Sequence, residues 1–330
     1  MRRYQYLILF TTIFLINAQS FAQSPKTPVS VIFDTDIGPD YDDVGAITLL
    51  HALADSGECR ILATMASNRY SRIAAVLDVY NTYFNRPTIP IGLVGKNGAN
   101  MACGQKWDSV ITLRYPHDIK NNEQVEEATR LYRKILSQQP DNSVTIITVG
   151  FLTNMANLIE SKPDQYSNLN GTDLIRKKVK LLVSMAGAFP KGREYNVHVH
   201  AAASKIVAEK FPAPILFSGV EIGFRLFTGI PLINSEIKAS PVKDAFSISI
   251  PMNPADRNGR PSWDQTAILI AVRGYEKYFN LEQGRMIVNA DGSNGWDYNG
   301  KGHSFVTGKM EDNKLEDLIN HLMMHQPVRK

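Results

Sequence analysis

Val29 to Gly45 reads VSVIFDTDIGPDYDDVG, and the fold class turns on it. Val29, Val31, Ile32 and Phe33, interrupted by Ser30, form a run apolar on both faces, the pattern of a strand buried from two sides. The run ends in acid, with Asp34, Asp36, Asp40, Asp42 and Asp43 inside ten residues. After Asp43 the stretch VGAITLLHALADSG turns helical, with Val44, Ile47, Leu50 and Ala54 on one face. The carboxylates therefore lie between strand and helix, where open α/β sheets keep their sites. Carboxylates held that close repel one another unless something positive neutralises them, and a hard divalent cation with oxygen ligands does this well. A solvated acidic turn capping the helix is the competing reading, because the helix dipole favours Asp there; it accounts for one or two acids, not five.

The bulk numbers bound the class. With 330 residues, 44% of them apolar and 21% charged, the chain can bury a large α/β core. Arg2 and Arg3 precede the apolar run YLILFTTIFLINA, and Ser20-Phe21-Ala22 offers a small-x-small cleavage site. Residues 1 to 22 thus read as a signal peptide, the run being short for a membrane span of about twenty residues. An exported protein, periplasmic or secreted, is expected, with no membrane attachment after cleavage. Removing residues 1 to 22 takes away Arg2 and Arg3 and no acids, so the formal charge falls from +4 to +2. That argues against a nucleic-acid partner. Cys59 and Cys103 are too few for a disulfide scaffold or a Cys-based metal site, although they could pair.

Along the chain, strands and helices alternate. Strands are expected at Arg60 to Ala66, IPIGLV, SVTIITV, VKLLVSMAGA and PAPILFSG, and helices at Ser71 to Phe84, Glu123 to Gln138, FLTNMANLIE and Ala201 to Lys210. Gly95 to Asn122 reads as one long loop, and Pro163 to Asp173 as a shorter one. PSWDQTAILIAVRG reads as a helix after Arg260, followed by strands near Asn280 to Asn289 and Ser304 to Met310 and a last helix, Asp312 to Met324. No repeat or linker divides the chain, which predicts a single domain over residues 23–330. The expected architecture is α/β: an open, mostly parallel Rossmann-like sheet with helices on both faces and a small C-terminal strand region.

In such a sheet the strand ends lie side by side. Asp34 to Asp43, Asn68, Val149-Gly150 and Glu194 to Asn196 could meet in one crevice, with Asp264 supplied by a later helix. Carboxylates, amides and a carbonyl suit calcium and a polyhydroxylated sugar. Three site types share the acidic spacing. An EF-hand loop needs Glu at its twelfth position, which counted from Asp34 is Gly45. Haloacid-dehalogenase phosphatases place D-x-D after a first strand with the first Asp, here Asp34, as nucleophile. The third match is closer: DTDIGPDYDD resembles the D-x-D-x-G-x-D-D signature of the inosine-uridine preferring nucleoside hydrolase family, with two extra residues before the final pair. ATMASN, ITVGFLTNMA, MAGAFPKGREYN and WDQTA are similar to four further family blocks, in the family's order.

The resemblance implies the nucleoside hydrolase fold and a small nucleoside substrate, with Ca2+ held by Asp36, Asp43, Asp264 and the backbone carbonyl of Val149. Asp36 would also be the general base, Asp42 and Asn68 would meet the ribose 2′-hydroxyl, and Glu194 and Asn196 the 3′- and 5′-hydroxyls. It also implies a homo-oligomer. Cleaving an N-glycosidic bond passes through an oxocarbenium-like sugar, so nearby carboxylates stabilise the developing charge while one deprotonates water. Two departures stand out. Ala188 or Phe189 stands near a family Asn, and Trp263 occupies the place where pyrimidine-accepting relatives carry a His acid. Trp263 resembles the purine-preferring branch, in which stacking on the base replaces that acid, and so points to purine salvage; it could equally be core at a helix start. Trp107 and Trp296 are further stacking candidates, and His198, His200 and His303 further acids. Two other readings stay open: the phosphatase, and a non-catalytic calcium-bound receptor for nucleosides or sugars.

Overall fold

A computed structural model of the protein describes residues 27–328, so the N-terminal segment read as a signal peptide lies outside the described residues. In chain order the strands are β1 (Val29–Thr35), β2 (Cys59–Ala66), β3 (Ile91–Leu93), β4 (Glu126–Glu127), β5 (Val144–Thr148), β6 (Val179–Met185), β7 (Ile215–Ser218), β8 (Phe227–Thr228), β9 (Arg260–Pro261), β10 (Phe279–Val288), β11 (Asn294–Asp297) and β12 (His303–Gly308). Ten of them form one sheet in the order β11-β10-β12-β7-β6-β5-β1-β2-β3-β4, and β8 pairs with β9 as a separate ribbon. From β4 across to β12 every pairing is parallel. β10 runs antiparallel to both β12 and β11, and this is the small C-terminal strand region.

β1 sits where the order reverses. The chain walks from β1 through β4 to one side and from β5 through β7 to the other, which opens a crevice at the carboxyl ends of β1 and β5. The apolar run of β1 explains its central position. Val31 and Phe33 enter one core with the helices Asp42–Asp55 and Trp263–Arg273, while Ile32 enters the other, under Ala128–Ser137, Thr153–Glu160 and Ala201–Lys210. Each such side chain contributes roughly 1.5–3 kcal/mol by leaving water. A charge at Ile32 would lose that and strand itself between two layers.

The helix after the acidic stretch is buried nearly all round, from Asp42 through Leu53, rather than on one face. It is covered by the sheet, by Trp263–Arg273 and by the last helix, Asp312–Met323. Gly45 is a point of close approach to Trp263–Arg273: a Cβ there would collide with the Gln265 side chain. The expected long loop contains a helix, Trp107–Arg114, whose sequence has no apolar stripe; Trp107 and Ile111 anchor it. Another helix, Gly171–Lys178, begins inside the second expected loop, capped by the Asn170 side chain, which accepts from Asp173 N. Between β7 and β9 lie short helices, Val220–Gly223, Ile230–Ile233 and Pro241–Ser249, that the sequence pattern did not delimit. Cys59 and Cys103 are buried and unpaired.

Candidate active site

The crevice at the switch point is a cleft of about 400 Å³. One wall is acidic: Asp36 from the end of β1, Asp40 and Asp42 from the turn into the first helix, and Asp264 from the first turn of Trp263–Arg273. Val149 closes the floor at the end of β5, beside Glu194 and Asn196. Trp263, Phe224 and Tyr195 form an aromatic side, and Arg193 and Arg260 complete the lining. Asp43 lies just behind the wall, 1% exposed, accepting a short hydrogen bond from the Thr35 hydroxyl. Gly150 permits this convergence, since a Cβ there would strike the backbone of Asp36. Gly45 does the same for the two helices that bring Asp42, Asp43 and Asp264 together.

Burial and mutual repulsion dominate the electrostatics. Burial, then the charges of Asp40, Asp42 and Glu194, push the Asp36 carboxyl well above its ordinary range. Asp43 and Asp264 are raised in the same way, by burial and then by their acidic neighbours. For Asp42, burial and Asp40 raise the carboxyl while Arg260 opposes them. Such a set, short of positive charge and rich in oxygen, fits a hard divalent cation. Asp36, Asp43, Asp264 and the Val149 carbonyl are the groups that could hold it.

Asp34 belongs to a different environment. It is 1% exposed and does not line the cleft; Tyr132 OH donates to its Oδ2 at 2.8 Å and Asn154 Nδ2 at 3.0 Å. Burial still lifts it to about 7, against the pull of those two donors. A carboxylate covered this way cannot attack a phosphoryl group, which removes the phosphatase reading.

The family comparison decides the class. The sequence model of the family described as inosine-uridine preferring nucleoside hydrolase matches residues 31–314. The chain belongs to that family. Solved structures of nucleoside hydrolases share its fold: the plant enzyme PpNRh1 (19% identity, 90% of this chain and 99% of that one covered, TM-score 0.70), an inosine-uridine preferring enzyme from Bacillus anthracis (15%, 90% and 99%, 0.68) and a purine-preferring ribonucleoside hydrolase from Gardnerella vaginalis (14%, 89% and 98%, 0.67). No curated protein matches the sequence. As a nucleoside hydrolase the chain hydrolyses N-glycosidic bonds of nucleosides, and the family is metal-dependent.

Within this nucleoside hydrolase the residues singled out from sequence fall into two layers. Asp36, Asp42, Val149, Glu194, Asn196, Trp263 and Asp264 line the cleft. Asn68 stands one layer back, its amide spent on backbone: Nδ2 donates to Asp36 O and Met101 O, and Oδ1 accepts from Met101 N and Tyr70 N. Glu194 caps a short helix, accepting from the backbone N–H of Gly187, Asn196 and Val197. Asn196 Nδ2 donates to Val149 O at 3.1 Å and Met185 O at 3.0 Å. Trp263 Nε1 donates to Val220 O at 2.9 Å, and the Phe224 ring meets the indole edge-on.

Other candidates lie elsewhere. Trp107 is fully buried, and Trp296 packs against Phe189 and Phe305. His198 and His200 bond to Glu194 O and the Thr153 hydroxyl. His303 sits at the amino end of β12, at the opposite end of the sheet from the cleft. Among the described residues no histidine lines the cleft. Near the missing family Asn, Asn294 from β11 braces the turn instead, accepting from Ala188 N and donating to Ala188 O. The sequence reading missed Arg260, whose Nε and Nη2 both donate to Asp42 Oδ1, at 3.1 and 2.8 Å. An Arg three residues before an aromatic was the available signal.

Proposed function

We propose that this nucleoside hydrolase cleaves ribonucleosides, purine nucleosides ahead of pyrimidine ones, to free base and ribose with Ca2+ as its metal, and that it acts after export as a single domain, in purine salvage. The observation that carries the reading is the convergence of Asp36, Asp42, Asp43 and Asp264 with the Val149 carbonyl opposite an aromatic side that has Trp263 where an acid would serve pyrimidines.

Asp36, Asp43, Asp264 and Val149 O would hold the cation, which would supply positive charge for the attacking water and the sugar diol. Asp36, on the acidic wall of the cleft, would take the proton from that water. Asp42 faces the 2′-hydroxyl, and Asn68 contributes by fixing the backbone of Asp36 rather than by touching the sugar. Glu194 and Asn196 orient the 3′- and 5′-hydroxyls, with the acidic wall stabilising the cationic sugar as the bond breaks. Trp263 and Phe224 hold the flat base; stacking favours the larger purine and eases its protonation by solvent.

Release of reducing sugar from inosine, guanosine and uridine, with calcium and with chelator, tests this. Calcium-dependent release that favours purines and disappears in Asp36→Asn is expected. Tight binding of intact nucleoside without release would replace the hydrolase by a receptor.

A further inference from the structure

The carboxylates packed most closely are not the proposed ligand set. Asp40, Asp42 and Asp43 each offer an oxygen within 4.8 Å of the others, yet two of the three are already engaged. Arg260 Nη2 reaches Asp40 Oδ2 at 2.7 Å, and Arg260 donates twice to Asp42 Oδ1. Its guanidinium lies between two rings, 5.0 Å from the centre of Tyr41 and 4.8 Å from that of Trp263. Tyr41 is itself fixed, its hydroxyl donating at 2.7 Å to Asp256, which stands 3.8 Å from Arg260 Nη1. Arg260 is 8% exposed and enters from β9. Asp43 is outside this arrangement: its partner is the Thr35 hydroxyl.

We propose that Arg260 is a positioning residue, a resident counter-ion that takes Asp40 and Asp42 out of the cation's inner ligand set and leaves the metal to Asp43, Asp36, Asp264 and Val149 O. The inference rests on the metal reading above. A flat, permanently charged guanidinium matches two carboxylate edges and tolerates a dry, ring-lined slot, as a hydrated lysine ammonium does not. A cation placed between Asp40 and Asp42 would have to sit against that guanidinium, like charge on like. Moved toward Asp36 and Asp264, it meets carboxylates that have no such partner. Only Oδ1 of Asp42 is used by Arg260, so its second oxygen stays free of that pairing.

The test is calorimetric titration of Ca2+ into the chelator-stripped full chain and its variants, with melting temperatures alongside. Wild type must bind one ion; if it binds none, the metal reading itself fails. Given binding, Asp43→Asn should weaken affinity by more than about 30-fold and Asp40→Asn by less than about threefold, while Arg260→Gln should bind roughly tenfold more tightly or admit a second ion, because calcium affinity follows the ligand charge available. Arg260→Lys, which keeps the charge but fits neither the carboxylate edges nor the ring-lined slot, should fall between wild type and Arg260→Gln. Asp40→Asn as damaging as Asp43→Asn, or a folded Arg260→Gln with unchanged or weaker affinity, would overturn the proposal. Should Arg260→Gln fail to fold, the contrast between Asp40 and Asp43 decides alone.

Discussion

The two ends of one sheet make an instructive pair. At the amino ends of β1, β5, β6, β7 and β12 lies a concavity of about 770 Å³, nearly twice the volume of the cleft at the carboxyl ends. Its charged lining, Lys180, Arg273, Glu276 and Lys301, comes from a strand start, a helix end and connecting loops, and no two carboxylates meet there. The smaller cleft gathers Asp36, Asp42 and Asp264, all below 6% exposed, with Asp43 behind them. Volume is a by-product of how loops close over strand ends. Buried like charges, which cost free energy unless something binds between them, are the better mark of chemistry.

Asp36→Asn should lower kcat about 10²–10⁴-fold, the usual loss for a general base, while its melting temperature in chelator holds or rises, because one of several buried like charges is gone. A drop under tenfold in steady-state rate would move the base elsewhere on the acidic wall.

Asp34 tests the layer beneath. Its folded pKa, about 7, stands above the ordinary 3.8, so the fold favours the protonated form. Its stabilising contribution is complete below about pH 4 and is lost as pH rises toward 7, by up to about 4 kcal/mol at 1.36 per pKa unit. Asp34→Asn should therefore flatten the fall in melting temperature between pH 4.5 and 7.5, measured in chelator. An unchanged slope would assign that fall to the cleft carboxylates alone.

Trp263→Ala should cost inosine roughly 10- to 100-fold in kcat/KM, the worth of one stacked base, and uridine less. Equal losses would make the indole a support for Arg260 rather than a base platform. Least of all, Lys180→Ala in the larger concavity should leave kcat/KM within about twofold, as isolated surface changes do. A larger effect would mean that the two ends of the sheet are coupled.

Much of this was legible because it is local. β1 announced itself by a doubly buried apolar run, and DTD followed by a helix placed its acids at a strand end. WDQTA opened a stretch that reads as a helix, and its resemblance to a family block set Asp264 against the others. What escaped is non-local or lacks a period. Arg260 meets Asp42 across 218 positions of sequence and sits in a two-residue strand. Trp107–Arg114 has too few buried positions to draw a stripe, and Trp107 faces the core rather than a ligand. Asn68 was recognised as part of the site, but two of the polar partners that occupy its amide come from the Met101 loop, which no spacing predicts.

The contact of Gly45 with Gln265 has a further consequence, for the order in which the molecule comes into being. The groups proposed to hold the ion come from the end of β1, the start of the helix Asp42–Asp55, the end of β5 and the start of Trp263–Arg273, so the acidic wall is completed by a helix from the last quarter of the chain. A nascent polypeptide that stops short of Arg260 already has its central strands and most of its carboxylates, but neither Arg260 to quench them nor Asp264 to finish the cage. Cation capture is then a signature of finished folding, and a truncated chain is left with a patch of unrelieved negative charge at its centre.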